Sequence, residues 1–164
     1  MTEEYLEQMT DTMTEADIEI LDKKYLTFVL GNEEYGIDIN DVKEIVGIQK
    51  ITDVPDMPPF IKGVINLRGK IIPVMDIRIR FCMNDREYND RTCIIVVNIE
   101  NKEIGLIVDN VSEVLDIPIK NIENSSSVSG SNENYINGYG KVEDSVKILL
   151  DIQKLLMGEL LEQL

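Results

Sequence analysis

The chain carries one apolar pattern twice. Leu26, Phe28 and Leu30 recur 69 positions later as Ile95, Val97 and Ile99. In the same register Gly36-Ile37-Asp38-Ile39 corresponds to Gly105-Leu106-Ile107-Val108, and Val42-Lys43-Glu44-Ile45 to Val111-Ser112-Glu113-Val114. Farther along the offset is 75: Gly63 answers to Gly138, and the run from Ile72 to Asp76-Ile77 answers to the run from Lys147 to Asp151-Ile152. The second copy therefore holds six more residues. Its Ser- and Asn-rich stretch from Asn121 to Asn134 reads as a surface loop and is the expected place for them. Matched spacing across half a chain constrains the fold more than any short motif, because whatever one copy forms the other must form too.

What each copy forms follows from its period. Short β-branched and aliphatic runs alternate with Gly, Asn, Asp and Pro, the signature of half-buried strands and their turns. The strand candidates are Tyr25 to Leu30, Tyr35 to Ile39, Val64 to Leu67, Ile71 to Ile77, Thr92 to Ile99, Ile104 to Val108 and Val146 to Leu150. The clearest helical period is C-terminal, residues 152–164, with Ile152, Leu155, Leu156 and Leu160 on one face. Each copy spans about 55 to 65 residues, suited to a small, nearly closed barrel. The expected fold is mainly all-β: two small barrel subdomains over residues 25–90 and 91–151, within one domain from residue 24 to 164 that ends in the helix. Residues 1–23 are an acidic arm, with a short possible helix from Thr14 to Leu21. Two barrels would bury their weakest edges against each other and leave a groove. The repeat gives Val42 and Val111 equivalent places, either both in the groove or each in its own core.

Composition removes many functions. Acidic residues number 31 against 16 basic, a formal charge of −15 that disfavours nucleic acid and anionic lipid as partners. The N-terminus lacks the layout of a secretion signal, and no apolar run approaches the ~20 residues of a membrane span, so a cytoplasmic location is expected. Cys82 and Cys93 have neither metal-ligand spacing nor the density of a disulfide scaffold, and read as reduced thiols. There is no histidine, hence none of the commonest general base or zinc ligand. Gly138-Tyr139-Gly140-Lys141 lacks phosphate-loop spacing, and Asp38, Asn40 and Asp41 lack the glycine and glutamate of a calcium loop. No metal or cofactor is expected. Asp76 and Asp151 recur at matched positions, better explained by a turn hydrogen bond than by catalysis. Asn124-Ser125-Ser126 fits a glycosylation acceptor, which a cytosolic chain does not use.

One segment departs from this pattern. Val64 to Leu67 and Ile71 to Val74 flank an Arg68-Gly69-Lys70 turn in which Gly69 supplies the positive φ of a tight hairpin. The repeat places Glu143 where Arg68 stands. Arg68 is then either a solvated or locally paired turn residue, or a recognition arginine of the kind enriched at binding hot spots.

Taken together, Phe28-Val29-Leu30-Gly31, Glu34-Tyr35-Gly36-Ile37-Asp38-Ile39 and Phe60-Ile61-Lys62-Gly63-Val64-Ile65-Asn66-Leu67-Arg68-Gly69 resemble the CheW family of chemotaxis coupling proteins. The resemblance continues through Val74-Met75-Asp76-Ile77-Arg78, Gly105-Leu106-Ile107-Val108-Asp109-Asn110-Val111 and Ile148-Leu149-Leu150-Asp151-Ile152, covering about Tyr25 to Leu156. It implies two SH3-like barrels side by side and a scaffold joining the cytoplasmic tips of chemoreceptors to the regulatory domain of the histidine kinase CheA. Receptor docking near the groove then falls on Ile39, Val42, Glu44, Ile45, Arg68 and Val111. The resemblance assigns no kinase-contacting residues here. The same module also ends the kinase itself and is fused to a receiver domain in CheV-type proteins; in 164 residues the stand-alone coupler is the expectation. Two other readings stand beside it, a small-ligand sensor on the same barrels and a carboxylate-dependent hydrolase. These would need an enclosed pocket or a paired-carboxylate cleft, and the sequence indicates neither. With no histidine and no nucleotide loop, the purified protein is expected neither to hydrolyse ATP nor to accept phosphate from a histidine kinase. Radiolabel transferred to this chain during a kinase reaction would refute that expectation.

Overall fold

The computed structural model describes Thr14 and residues 21–124 and 135–156. The possible helix of the arm and residues 157–164 of the expected C-terminal helix lie outside the described residues, as does most of the Ser/Asn loop. Among the described residues eleven strands are seen: β1 (Asp22–Leu30), β2 (Glu33–Asp38), β3 (Val42–Gly47), β4 (Ile61–Leu67), β5 (Lys70–Asp76), β6 (Cys93–Ile99), β7 (Lys102–Val108), β8 (Asn110–Pro118), β9 (Ile122–Asn124), β10 (Ile136–Val142) and β11 (Ser145–Leu150). Short helices follow β5 and β11, α1 (Ile77–Arg80) and α2 (Ile152–Leu155). All seven expected strands are present. Thr92, Ile39 and Ile77 are exceptions at their ends, since Thr92 precedes β6, Ile39 opens a 3-10 turn and Ile77 opens α1.

The strands form two sheets, ordered β8-β1-β2-β11-β10-β9 and β3-β6-β7-β5-β4. The expected division at residues 90 and 91 is not the division of the sheets. The β1–β2 hairpin of the first copy pairs with β8 and β11 of the second, and the β6–β7 hairpin of the second copy pairs with β3 and β5 of the first. The five-stranded sheet lies within residues 42–108, and its six-stranded partner is assembled from the two flanks. A hairpin alone leaves two rows of unpaired backbone donors and acceptors, and reciprocal exchange satisfies both rows in each copy.

The repeat is preserved down to register. Val42 pairs with Val97 and Val111 with Phe28, each beside a bulge. β11 runs parallel to β2 with Leu149 opposite Gly36, and β5 runs parallel to β7 with Val74 opposite Gly105. Both glycines are needed for close approach. A Cβ on Gly105 would meet Ile94 Cγ2 at 2.7 Å and Val74 Cγ1 at 2.8 Å, and one on Gly36 would meet Leu149 Cδ2 at 3.0 Å. Asp76 Oδ1 accepts from Ile79 N at 3.4 Å and Asp151 Oδ1 from Lys154 N at 3.0 Å, so both aspartates cap the helix that follows them. The six extra residues are split. Thr52 bridges Val64 as Glu123 pairs with Tyr139, so two residues enter before Glu123 and the other four after it.

Three apolar cores result. One fills the five-stranded barrel with Ile65, Leu67, Ile72, Val74, Ile94, Val96 and Ile107. Its counterpart in the six-stranded barrel is smaller, Tyr25, Ile117 and Leu149, because Thr27 and Lys147 stand where the other barrel has Val96 and Ile72. Both polar groups are satisfied: Thr27 Oγ1 donates to Glu113 O at 2.9 Å, and Lys147 pairs with Glu34. The largest core lies between the barrels and contains both repeated triplets, Leu26, Phe28, Leu30 and Ile95, Val97, Ile99, with Ile77, Ile152 and Leu155 from the helices. The barrels therefore meet through the outward faces of β1 and β6, not through weak edges. Each such side chain contributes ~1.5–3 kcal/mol on full burial.

A charged cluster pins the rim of this core. Asp109, at the β7–β8 corner, accepts from Arg78 Nε and from a second guanidinium nitrogen of Arg78, both at 2.6 Å, from Gly31 N at 2.8 Å and from Arg86 at 3.1 Å. Burial disfavours its charged form, but the Arg78 hydrogen bonds, the Gly31 amide and the two arginine charges outweigh that and hold its carboxyl below the usual 3.8.

Two outcomes follow from these contacts. Gly105→Ala should cost about 1–3 kcal/mol in urea unfolding, the scale of overpacking a filled core, and Gly36→Ala less, because its nearest contact is the tip of a leucine. Asp109→Asn should cost about 2–3 kcal/mol, since it leaves Arg78 facing a neutral amide in a mostly buried place. The carboxylate's contribution is present above its unfolded value near pH 4 and is lost as pH falls through its lower folded value. Acid titration of stability should therefore be shallower below pH ~4 in Asp109→Asn than in wild type; parallel curves would show that other groups carry the acid dependence.

Candidate functional site

The β4–β5 turn presents Arg68 in a constrained conformation. Arg68 and Gly69 both have positive φ, 54° and 86°, so the glycine is not alone in the left-handed region. Asn66 Oδ1 accepts from Gly69 N at 2.9 Å and braces the turn. Glu143 repeats the positive φ of Arg68 at 55°, but Asp144, in the place of Gly69, does not take a positive φ, so the two turns differ in backbone as well as in charge.

Arg68 is not a freely solvated arginine. Its guanidinium pairs with Glu44 of β3, the edge strand at the far end of the sheet order from β4. With the Thr52–Val64 bridge, this pair draws the two edges of the five-stranded sheet toward each other and closes the barrel. Arg68 is 66% exposed and Glu44 27%. Next along β3, Ile45 is exposed. The register of β3 alternates Val42, Glu44 and Val46 on the more sheltered side with Lys43, Ile45 and Gly47 outward.

The structure thus brings Arg68 together with Glu44, while Ile45, the next residue on β3, faces outward from the opposite side of the strand. Ile39 and Val42 stand at the base of β3, half-buried against the core between the barrels. Val111 packs against that same core from β8 of the six-stranded barrel, opposite Phe28. Neither valine belongs to a barrel interior, which decides between the two places the repeat left open. Lys43 and Lys70 were not singled out from sequence. Both donate to Glu103 on β7 and hold its carboxyl below the usual range, extending the charged network around Arg68. The repeat contained their signal, because both become serine in the second copy, Ser112 and Ser145.

This surface carries ion pairs together with exposed Ile45. Cys82 and Cys93 are free thiols. Among the described residues no group of three or more Cys, Asp or Glu is placed to hold a metal ion, and no helix is long and apolar enough to cross a membrane.

Comparison with known proteins gives a consistent result. The CheW-like domain family matches residues 24–159. Chemotaxis protein CheW of Klebsiella aerogenes is 41% identical over 143 residues, 86% of each chain, and that of Treponema pallidum 34% over 144 residues, 85% of each chain. The crystal structure of the scaffolding protein TtCheW from Thermoanaerobacter tengcongensis superimposes with a TM-score of 0.78 at 39% identity, covering 85% of this chain and 96% of that one. The swapped two-sheet fold, the duplicated hairpins and these similarities agree: the chain belongs to the CheW family.

Proposed function

We propose that the protein is a non-catalytic adaptor in the cytoplasm that couples the cytoplasmic tips of chemoreceptors to the regulatory domain of the histidine kinase CheA. Receptor docking takes place on Ile39, Val42, Glu44, Ile45, Arg68 and Val111. The observation that carries this reading is the Arg68–Glu44 pair, which holds a mostly exposed arginine against β3, the strand that also exposes Ile45. A guanidinium fixed by one carboxylate keeps further donors to offer an acidic partner, and Ile45 supplies exposed apolar area on the same strand as that carboxylate. Membership of the CheW family and likeness to a scaffolding protein support the adaptor role over catalysis.

The exposed ion pair contributes little to folding, ~0–1 kcal/mol. Arg68→Ala should accordingly lower stability by no more than about 0.5–1 kcal/mol. Its effect on a receptor-tip fragment should be larger, about 2 kcal/mol, or roughly thirtyfold in affinity at 25 °C. Melting temperature and binding to receptor tip and kinase would be measured on the same preparations. Separation of binding from folding, with kinase affinity unchanged, supports the assignment. A large drop in melting temperature would make Arg68 a structural residue, and unchanged receptor affinity would remove it from the site.

A further inference from the structure

The two aspartates that cap α1 and α2 differ in the use of their second oxygen. Each gives Oδ1 to the amide three residues on. Asp76 Oδ2 also accepts from the Tyr88 hydroxyl at 2.7 Å. Among the described residues Asp151 Oδ2 has no such partner. Tyr88 belongs to the link from α1 to β6, which packs across buried Asp76. Arg78 donates to Asn84 O in that link at 3.0 Å, Arg86 reaches Asp109 at 3.1 Å, and Lys62 Nζ lies 5.9 Å from the centre of the Tyr88 ring. Burial, with the Asp76 hydrogen bond, raises the phenol well above its ordinary 10, so it stays a donor. The cavity left beside it holds about 10 Å³.

The repeat sets a second cavity in the corresponding place, and this one is open. Lys23, Asp38, Asn40, Asp151 and Gln153 line it, the equivalents of Thr92, Ile107, Asp109, Asp76 and Arg78 around the first. Asn137, the equivalent of Lys62, lines it too. Its volume is about 290 Å³. Ile99, Leu150 and Ile152 give it apolar walls. Asp38, Asp41 and Asp151 against Lys23 leave it net acidic, which turns away a carboxylate or phosphate and favours a hydrogen-bond donor.

We propose that this cavity receives a tyrosine side chain of another protein, its ring against Ile99, Leu150 and Ile152 and its hydroxyl donating to Asp151 Oδ2 as Tyr88 donates to Asp76. The chain itself supplies the precedent, since a phenol carried on a peptide segment fills the twin cavity. Apolar walls with one placed acceptor match what a buried phenol requires, an apolar body and a hydrogen-bonded tip. None of the six residues proposed for receptor docking lines the cavity, so its test stands apart from that reading.

Proton–nitrogen correlation spectra of the full chain, titrated with N-acetyl-tyrosinamide and separately with N-acetyl-phenylalaninamide, test this. The tyrosine probe should shift the amides of Leu150, Asp151, Ile152 and Gln153 saturably at millimolar concentration. The phenylalanine probe should bind at least tenfold more weakly, because it lacks the hydrogen bond to a charged acceptor. Asp151→Asn retains a residue that caps helices well, and should lower the affinity for the tyrosine probe toward that for the phenylalanine probe. The comparison of the two probes on wild type needs no variant to fold. Absence of saturable shifts at these amides, equal affinity for the two probes, or tyrosine binding unaffected in a folded Asp151→Asn protein overturns the inference.

Discussion

The fold depends on two parallel strand pairings that link the copies, Leu149 against Gly36 and Val74 against Gly105. Each sets a strand of one copy beside the hairpin of the other, and each crosses at a glycine, where the absent side chain relieves close packing. Once both are made, the outer faces of β1 and β6 are brought to a common core, and the barrels cannot be separated without breaking the sheets themselves. The joint is covalent topology reinforced by burial, not two finished domains in contact. That rigidity is what lets Val42 and Val111, from strands of different barrels, stand at fixed places along one shared core.

Inside this frame the barrels have diverged in kind. One interior is entirely aliphatic, while the other admits Thr27 and Lys147, each held by a partner. Externally, Arg68 and Glu143 put opposite charges at matched turn positions, while Gly69 and Asp144 beside them differ in backbone. Matched positions of unlike charge can discriminate between partners without a new fold.

Much of this was legible in the sequence, and the exceptions have physical causes. The seven expected strands are those rich in β-branched and aliphatic residues. β3 was seen as a repeat segment without being recognised as a strand, because Glu44 lies on its sheltered side and Ile45 on its exposed side, which inverts the usual alternation. β10 is broken by Gly138 and Gly140, residues depleted in strands, although Gly138 is required where a Cβ would lie 2.6 Å from Glu123 O. The exchange of strands left no mark, since period and register are identical whether a hairpin pairs within its copy or across. Within the site, Arg68 stood out by its departure from Glu143. Its partner Glu44 is 24 residues away, and that pairing is set by barrel closure, which no local pattern reports.

The nesting of one sheet inside the other bears on how the chain comes into being. Everything needed for the five-stranded sheet lies in residues 42–108, but β1 and β2 are made first and have no sheet to join until β8 and β11 appear. β11, the last strand among the described residues, enters between β2 and β10, in the middle of its sheet and not at an edge. The first hairpin therefore leaves the ribosome with both edges open and waits for nearly the whole chain, a long-range closure that is slow and exposes edges prone to mispairing. A chain stopped before β11 would keep every strand of the inner barrel while losing the centre of the outer one, so a stop late in the sequence damages the sheet that began to form first.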